Sequence, residues 1–551
     1  MSGKRQLLRA VGTNVKSLSR RVYDTSADVT AVSRCTYDAT TSTQLSKCPF
    51  QPAVADASFN APSIDVIPPA QITRGLAAIP GPQPFPLIGT MYQYFPGGQL
   101  YGMPWYDKLA KLQELYGDVV HEAVPGGLHI VHLYNPDDFL EVFRNEGKYP
   151  TRDSFFMLRR FNNKYNDGVH GIITSSGESW QKKRSKIQGK IAKPKSVRTY
   201  LPGQNPVADD FITFLRHTRN KEDIVEDLLS DLYRYATESI AVVCFNKRLG
   251  ALEINSKPGS EAEQFINSVN DVLMATQSEM GSLPLYNLYD TPMFKQLSKA
   301  QSYINEVTIK NAREAIEYCK SKEIHEDDDE EANIPTFLNK SSLTDKESFT
   351  LIGDFFFGGV DTTSNLIGFV MYNLCKNPSK MAILRQEIDE VIGQAREITS
   401  ENFERLPYLK AVIKESLRVT PVSAGNLRTL ATEATFSGYD VPAGTMVVLH
   451  NEWVGKQAQY VPNPDEFIPE RWLRNGKYPP IHPHVLLPFG FGPRSCPGRR
   501  VAEQEASLCL IKVLQNFDIE YCHSEDMKCE MRIINKIITP LKFRFSERGR
   551  P

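Results

Sequence analysis

Long apolar runs are missing from this chain. No stretch of about 18 or more residues is both apolar and uncharged, which excludes an ordinary membrane-spanning helix. Cysteine is scarce: nine in 551 residues, without a Cys-x-x-Cys pair. That is too few for a disulfide-stapled scaffold and lacks the spacing of a structural zinc site. A surplus of one charge sign is absent as well. With 64 basic and 65 acidic residues the formal net charge is −1, so the chain as a whole is not built to hold a nucleic acid or another polyanion. No internal repeat is visible, which sets aside solenoids and propellers. What is there is a globular balance, 41% hydrophobic and 23% charged, over a length that allows several domains or one large helical fold.

The N-terminus has its own composition. Lys4, Arg5, Arg9, Lys16, Arg20 and Arg21 precede Tyr23 with no acid among them, while Leu7, Leu8, Val11, Val15 and Leu18 recur at helical spacing. A Ser/Thr-rich tract follows to about Cys48. Amphipathic, basic and acid-poor, residues 1–47 read as a mitochondrial transit peptide; a disordered basic tail is the plainer alternative. A Pro- and Ala-rich stretch, 48–78, reads as a linker, and residues 79–551 as one domain. Pro80, Pro82, Pro84 and Pro86 then impose a stiff, extended approach.

Beyond it the period is mostly that of helices. Trp105–Tyr116, much of 135–319, 345–398 and 408–419 have helical spacing; Val119–Leu133 alternates around Gly126-Gly127 as a hairpin would, and 435–449 holds short strand-like pieces. The acidic run Glu326–Glu331 reads as a solvated loop. The expected class is mainly α with small β elements.

The chemically informative segment is Pro488-Phe489-Gly490-Phe491-Gly492-Pro493-Arg494-Ser495-Cys496-Pro497-Gly498-Arg499-Arg500. Its glycines allow tight turns and close approach of a flat ligand. Pro497 suits the first turn of a helix, which would put Cys496 at a helix N-terminus, where free N–H groups and the dipole favour a thiolate. A lone thiolate suits a haem iron better than zinc. The plain alternative, a small buried hydrophobe in a Gly-rich turn, is accepted for the other eight cysteines.

The segment matches Phe-x-x-Gly-x-Arg-x-Cys-x-Gly throughout and resembles the haem-binding signature of the cytochrome P-450 family. Further matches follow in the family's order. Gly358-Gly359-Val360-Asp361-Thr362-Thr363 lies in a long apolar helix pattern. The resemblance implies a glycine notch for dioxygen, with Asp361 and Thr362 passing protons; the alternative is a back-bonded threonine beside a solvent-facing acid. Glu415-x-x-Arg418 has a spacing that means little alone, since Glu141 and Arg144 share it. Followed by Pro421 and by Phe467-Ile468-Pro469-Glu470-Arg471-Trp472, it resembles the family's buried triad of Glu415, Arg418 and Arg471. Trp180 and Arg184, with Arg428 and Arg494, match its haem-propionate partners, and Phe489 and Gly498 its haem-contacting positions. Pro497 departs from many mitochondrial members, which have a larger apolar residue there.

The resemblance, spanning 79 to the C-terminus, implies an α-helical haem domain plus a β-rich subdomain, and haem b (iron protoporphyrin IX) ligated by Cys496. It implies a monooxygenase acting with O2 on a lipophilic substrate, steroid- or ecdysteroid-like or xenobiotic. An O2-independent isomerase or dehydratase and a non-enzymatic haem sensor are the rivals; both leave the Asp361-Thr362 pair without a use. Lys410 and Lys414, four apart, and Arg500 are similar to the positions at which mitochondrial members dock a [2Fe-2S] ferredoxin, itself served by a reductase. The run Lys182–Arg198, with eight basic residues and no acid, reads as part of that positive face. Leu283–Tyr289 with Met293 and Phe294 would cover substrate access and touch the inner membrane on its matrix side; Phe355, Phe356 and 422–427 would line the pocket. The pattern is closer to invertebrate mitochondrial members than to vertebrate side-chain-cleavage enzymes.

Overall fold

The computed structural model describes residues 74–549 apart from 126, 256, 280–282, 324–332, 340 and 475–476. The transit-peptide reading of 1–47, the linker reading up to 73, Gly126 and the acidic run at 326–331 lie outside the described residues.

The fold is organised around one helix, Asp345–Lys376. Its start is fixed by a capping box: the Thr344 hydroxyl accepts from Glu347 N–H, and the Glu347 carboxylate accepts from Thr344 N–H at 2.9 Å. Lys376 closes the last turn, the favourable end for a cation. Asn377-Pro378 then breaks the helical pattern of 345–398 and opens a second helix, Pro378–Val391. Leu351, Ile352, Val360, Ile367, Phe369 and Leu374 are fully buried. A helix apolar on most faces must run through the core, and this one packs against Leu228–Phe245 on one side and Arg499–Asn516 on another.

A second, smaller core lies under a four-stranded sheet ordered Val119–Val124, Leu128–Leu133, Met446–Leu449, Asn426–Thr429. The expected hairpin pairs Val119 with Leu133, and Val131 stands beside Val447 in parallel register. The helix Pro136–Asn145 covers this core with Phe139, Val142 and Phe143. Arg74 and Gly75 pair with Tyr439 and Asp440, so ordered contacts begin ahead of Ile79, inside the stretch read as linker. The helical body and the β-rich part are therefore separate cores, as the sequence suggests. Among the described residues no helix is long and apolar enough to cross a membrane.

Candidate functional site

The Cys496 loop folds back on itself. Gly490 and Gly492 both take left-handed φ values near +70°, and Cys496 N–H donates to the Phe489 carbonyl at 2.8 Å. The following helix begins at Arg499 with Gly498 as its cap. Pro497 thus precedes the helix instead of occupying its first turn, because the chain is still turning at Gly498. The thiol nevertheless receives the N–H groups of Gly498 and Arg499. Burial pushes its pKa up; those two N–H groups and the charge of Arg184 pull the other way. The Cys496 side chain is exposed, unlike Cys244, Cys319 and Cys509.

Four arginines converge beside it. Arg184, from the helix Gly177–Ile191, donates to the Ser495 carbonyl at 3.0 Å. Arg494 donates to the carbonyls of Pro150 (3.1 Å) and Ser175 (2.5 Å) and lies 5.0 Å over the Trp180 ring. Arg428 pairs with Glu146 at 2.5 Å and donates to the Phe491 carbonyl at 3.1 Å. Arg152, which the sequence reading did not single out, donates to the Ile173 carbonyl at 3.1 Å. Burial lowers the Arg494 pKa to about 8, with Arg152 and Arg428 adding repulsion; burial and Arg428 lower Arg152 to about 10. Nε of Arg152, Arg184 and Arg494 lacks a hydrogen-bond partner. Buried cations with spare donors call for anions, and a flat group with two carboxylates beside a thiol-liganded metal, as haem is, fits this donor set.

The central helix presents Gly358 and Thr362 one turn apart. A Cβ at Gly358 would meet no atom within 4 Å, whereas one at Gly359 would strike Ile240, so Gly358 alone opens the notch. Thr362 Oγ1 donates to the Gly358 carbonyl at 2.7 Å. Its neighbour Asp361 does not face solvent: it is buried, accepts from the Tyr233 hydroxyl and stands 3.6 Å from Lys536 Nζ. Of the plainer alternative, the back-bonded threonine is present and the solvent-facing acid is not. Phe355 is half-buried, but Phe356 is fully buried between Phe265 (3.9 Å, stacked) and Phe245 (5.2 Å). Phe356 belongs to the core, not to a pocket wall, because two aromatic partners on neighbouring helices claim its ring. Glu505, buried behind the same helix, accepts from Gln204 at 3.2 Å and Thr363 at 3.4 Å; burial raises its pKa to about 8.

Glu415, Arg418 and Arg471 meet. Arg418 grips Glu415 at 2.8 and 3.1 Å, Arg471 reaches it at 3.1 Å, and all three side chains are buried. Trp472 Nε1 and Ile468 N–H complete the carboxylate's shell at 2.8 and 3.0 Å. The arginines spend their other N–H groups on the carbonyls of Gly455, Pro464, Glu466, Pro462 and Asn463. Glu141 and Arg144, with the same spacing, form an exposed pair at 3.7 Å.

Lys410 and Lys414 are exposed on one face of the helix Pro407–Val419, with Lys414 4.1 Å over the Trp472 ring. Arg500 is exposed and shares Glu503 with Arg499. The run 182–198 is not a uniform surface: Lys183, Arg184 and Lys190 are buried, because their helix turns one face inward.

The cytochrome P450 family model matches residues 79–544. A probable cytochrome P450 12a5, mitochondrial, of Drosophila melanogaster is 35% identical, covering 82% of this chain and 88% of the relative. A probable cytochrome P450 12c1, mitochondrial, of the same fly is 31% identical over 85% and 91%. Cytochrome P450 CYP12A2 of Musca domestica is 30% identical over 86% and 91%.

Proposed function

Because the chain belongs to the cytochrome P450 family, whose members are haem b monooxygenases, we propose that it is a mitochondrial enzyme hydroxylating a lipophilic substrate with electrons from a [2Fe-2S] ferredoxin. One observation carries the reading: a single exposed thiol just ahead of a helix start, beside buried arginines with unused donors.

When bound, haem supplies dioxygen activation: one oxygen atom enters a C–H bond, the other leaves as water, and two electrons and two protons are consumed. Cys496 would hold the iron by its thiolate, with the Gly498 and Arg499 N–H groups orienting the sulfur. Arg184, Arg428, Arg494 and Arg152, with Trp180 beneath Arg494, would hold the propionates. Phe489 and Gly498 leave room for the flat ring, a Cβ at Gly498 standing 4.0 Å from the sulfur. Thr362 and Asp361 hold and move protons at Oγ1 and the carboxylate, with Tyr233 O–H as the acid's donor. Phe355 and Leu427, the half-buried apolar side chains of these segments, form the apolar wall, which suits a steroid-like or xenobiotic substrate. Lys410, Lys414 and Arg500 form the ferredoxin dock. The relatives named as mitochondrial and the transit-like N-terminus support a mitochondrial location. Leu285, Leu288 and Tyr289, exposed together, support contact with the inner membrane.

Purified protein reduced under carbon monoxide should give a band at about 450 nm, the mark of thiolate ligation, lost in Cys496→Ser. A band at about 420 nm in folded wild-type protein, the mark of a missing thiolate, would overturn the assignment of Cys496. Turnover of a steroid panel with mitochondrial ferredoxin and its reductase, but not with a diflavin reductase, supports the electron route; equal turnover with both overturns it.

A further inference from the structure

Glu146 stands at the wrong end of its helix for a carboxylate. It caps the C-terminus of Pro136–Asn145, where the helix dipole already places negative charge, and its side chain is only 4% exposed. A buried acid against the dipole is expensive unless something specific compensates it. Here the compensation comes from Arg428, 282 residues away, whose Nε meets Glu146 Oε2 at 2.5 Å.

All three nitrogens of Arg428 are engaged by this arrangement, through three of its five N–H groups. Its other nitrogens donate to its neighbour's carbonyl, Leu427 (3.0 Å), and to Phe491 (3.1 Å), and its guanidinium lies 5.5 Å over the Phe143 ring. Phe491 belongs to the Cys496 loop, and its own ring packs 5.1 Å from Phe143. The remaining oxygen of Glu146 presses on the next loop residue. A Cβ at Gly492 would stand 2.1 Å from Oε1, so only glycine fits there. The helix end thus holds Phe491 through Arg428 and crowds Gly492 with an oxygen that has no hydrogen-bond partner of its own.

We propose that Glu146 is a positioning residue for the haem site: its carboxylate fixes Arg428 against the Phe491 carbonyl and so sets where the loop presents Cys496. Arg428 is then a clamp on the loop as well as a propionate partner, its two remaining N–H groups serving the propionates alongside Arg152, Arg184 and Arg494. This rests on the assignment of Cys496 as the haem ligand.

The test uses the full holoenzyme with Glu146→Gln, Glu146→Asp and the pair Glu146→Gln with Arg428→Met. Folding is read by circular dichroism, haem by its content per chain, and loop position by the ratio of the thiolate band to the thiolate-free band under carbon monoxide. Glu146→Gln is expected to lower that ratio by about tenfold, the size typical of losing a group that orients a metal ligand. Glu146→Asp should recover part of it. The double variant, which leaves no stray buried cation, should fold and bind haem yet keep the lowered ratio. A folded Glu146→Gln or double variant with the wild-type ratio overturns the proposal. So does a double variant that fails to fold, since the pair would then support the whole domain and not the loop. A wild-type protein without the thiolate band would instead sink the Cys496 assignment itself.

Discussion

Single side chains carry charge states that their burial dictates. Glu505 is enclosed with Gln204 and Thr363 as hydrogen-bonding neighbours, and burial raises its pKa from 4.5 to about 8. The folded state therefore keeps this proton at pH values where the unfolded chain has released it. Stability from Glu505 is complete below pH 4.5 and is lost as pH rises towards 8, by up to about 1.4 kcal/mol per pH unit. Glu505→Gln, which keeps the shape and stays neutral, should flatten that slope. Thermal midpoints of wild type and variant between pH 6 and 8.5 check it, and parallel slopes would refute the assignment. Thr362 poses a different question, because its hydroxyl is bonded to the Gly358 carbonyl while its sequence neighbour Asp361 is turned towards Tyr233 and Lys536. If it passes protons, Thr362→Ala should lower product formed per electron pair by about 10²-fold, while Thr362→Ser retains it and substrate affinity stays put. Unchanged coupling in Thr362→Ala would leave the threonine with a helical role only.

Elements are held to one another by a few buried polar groups, and these differ in how far the sequence discloses them. The Glu415–Arg418–Arg471 triad ties the helix Pro407–Val419 to the irregular segment 455–472. Arg418→Met removes one cation and leaves Glu415 buried beside a single arginine, an expected loss of about 3–5 kcal/mol in a denaturant titration. A loss under about 1 kcal/mol would mean that Trp472 and Ile468 satisfy the acid without Arg418. This triad was readable because a short motif fixes each end. The central helix was readable too, since Thr344, Glu347 and the apolar period mark it locally. Glu146 gave no such sign: its partner is 282 residues distant and its own helix argues against a buried acid. Phe356 looked like a pocket wall because periodicity assigns a face to a helix but cannot say which neighbour fills it. Pro497 misled for a related reason, as proline favours a first helical turn without requiring one, and Gly498 delays the helix by two residues.

At the scale of the whole molecule, a net charge of −1 cannot steer a redox partner, so any attraction must come from a local field. The sequence suggested a broad basic face, but Lys183, Arg184 and Lys190 turn inward, and Arg499 and Arg500 are partly neutralised by Glu503. Lys182, Lys193, Lys195, Arg499 and Arg500 stay exposed, and Lys410 and Lys414 join them from one helix face, the latter steadied over Trp472. Placed above the buried triad, these two charges sit on a rigid base, and their stems pay little entropy on docking. This pair makes a sharp prediction. Lys410→Glu with Lys414→Glu should raise the KM for an acidic ferredoxin by about tenfold or more at low salt and leave kcat near wild type, because docking and not chemistry is altered. At 0.1 M salt the Debye length is about 10 Å, so the wild-type KM should climb with ionic strength while that of the double variant barely moves. Steady-state turnover across a salt series measures both. Equal salt dependence in the two proteins would place the ferredoxin elsewhere on the surface.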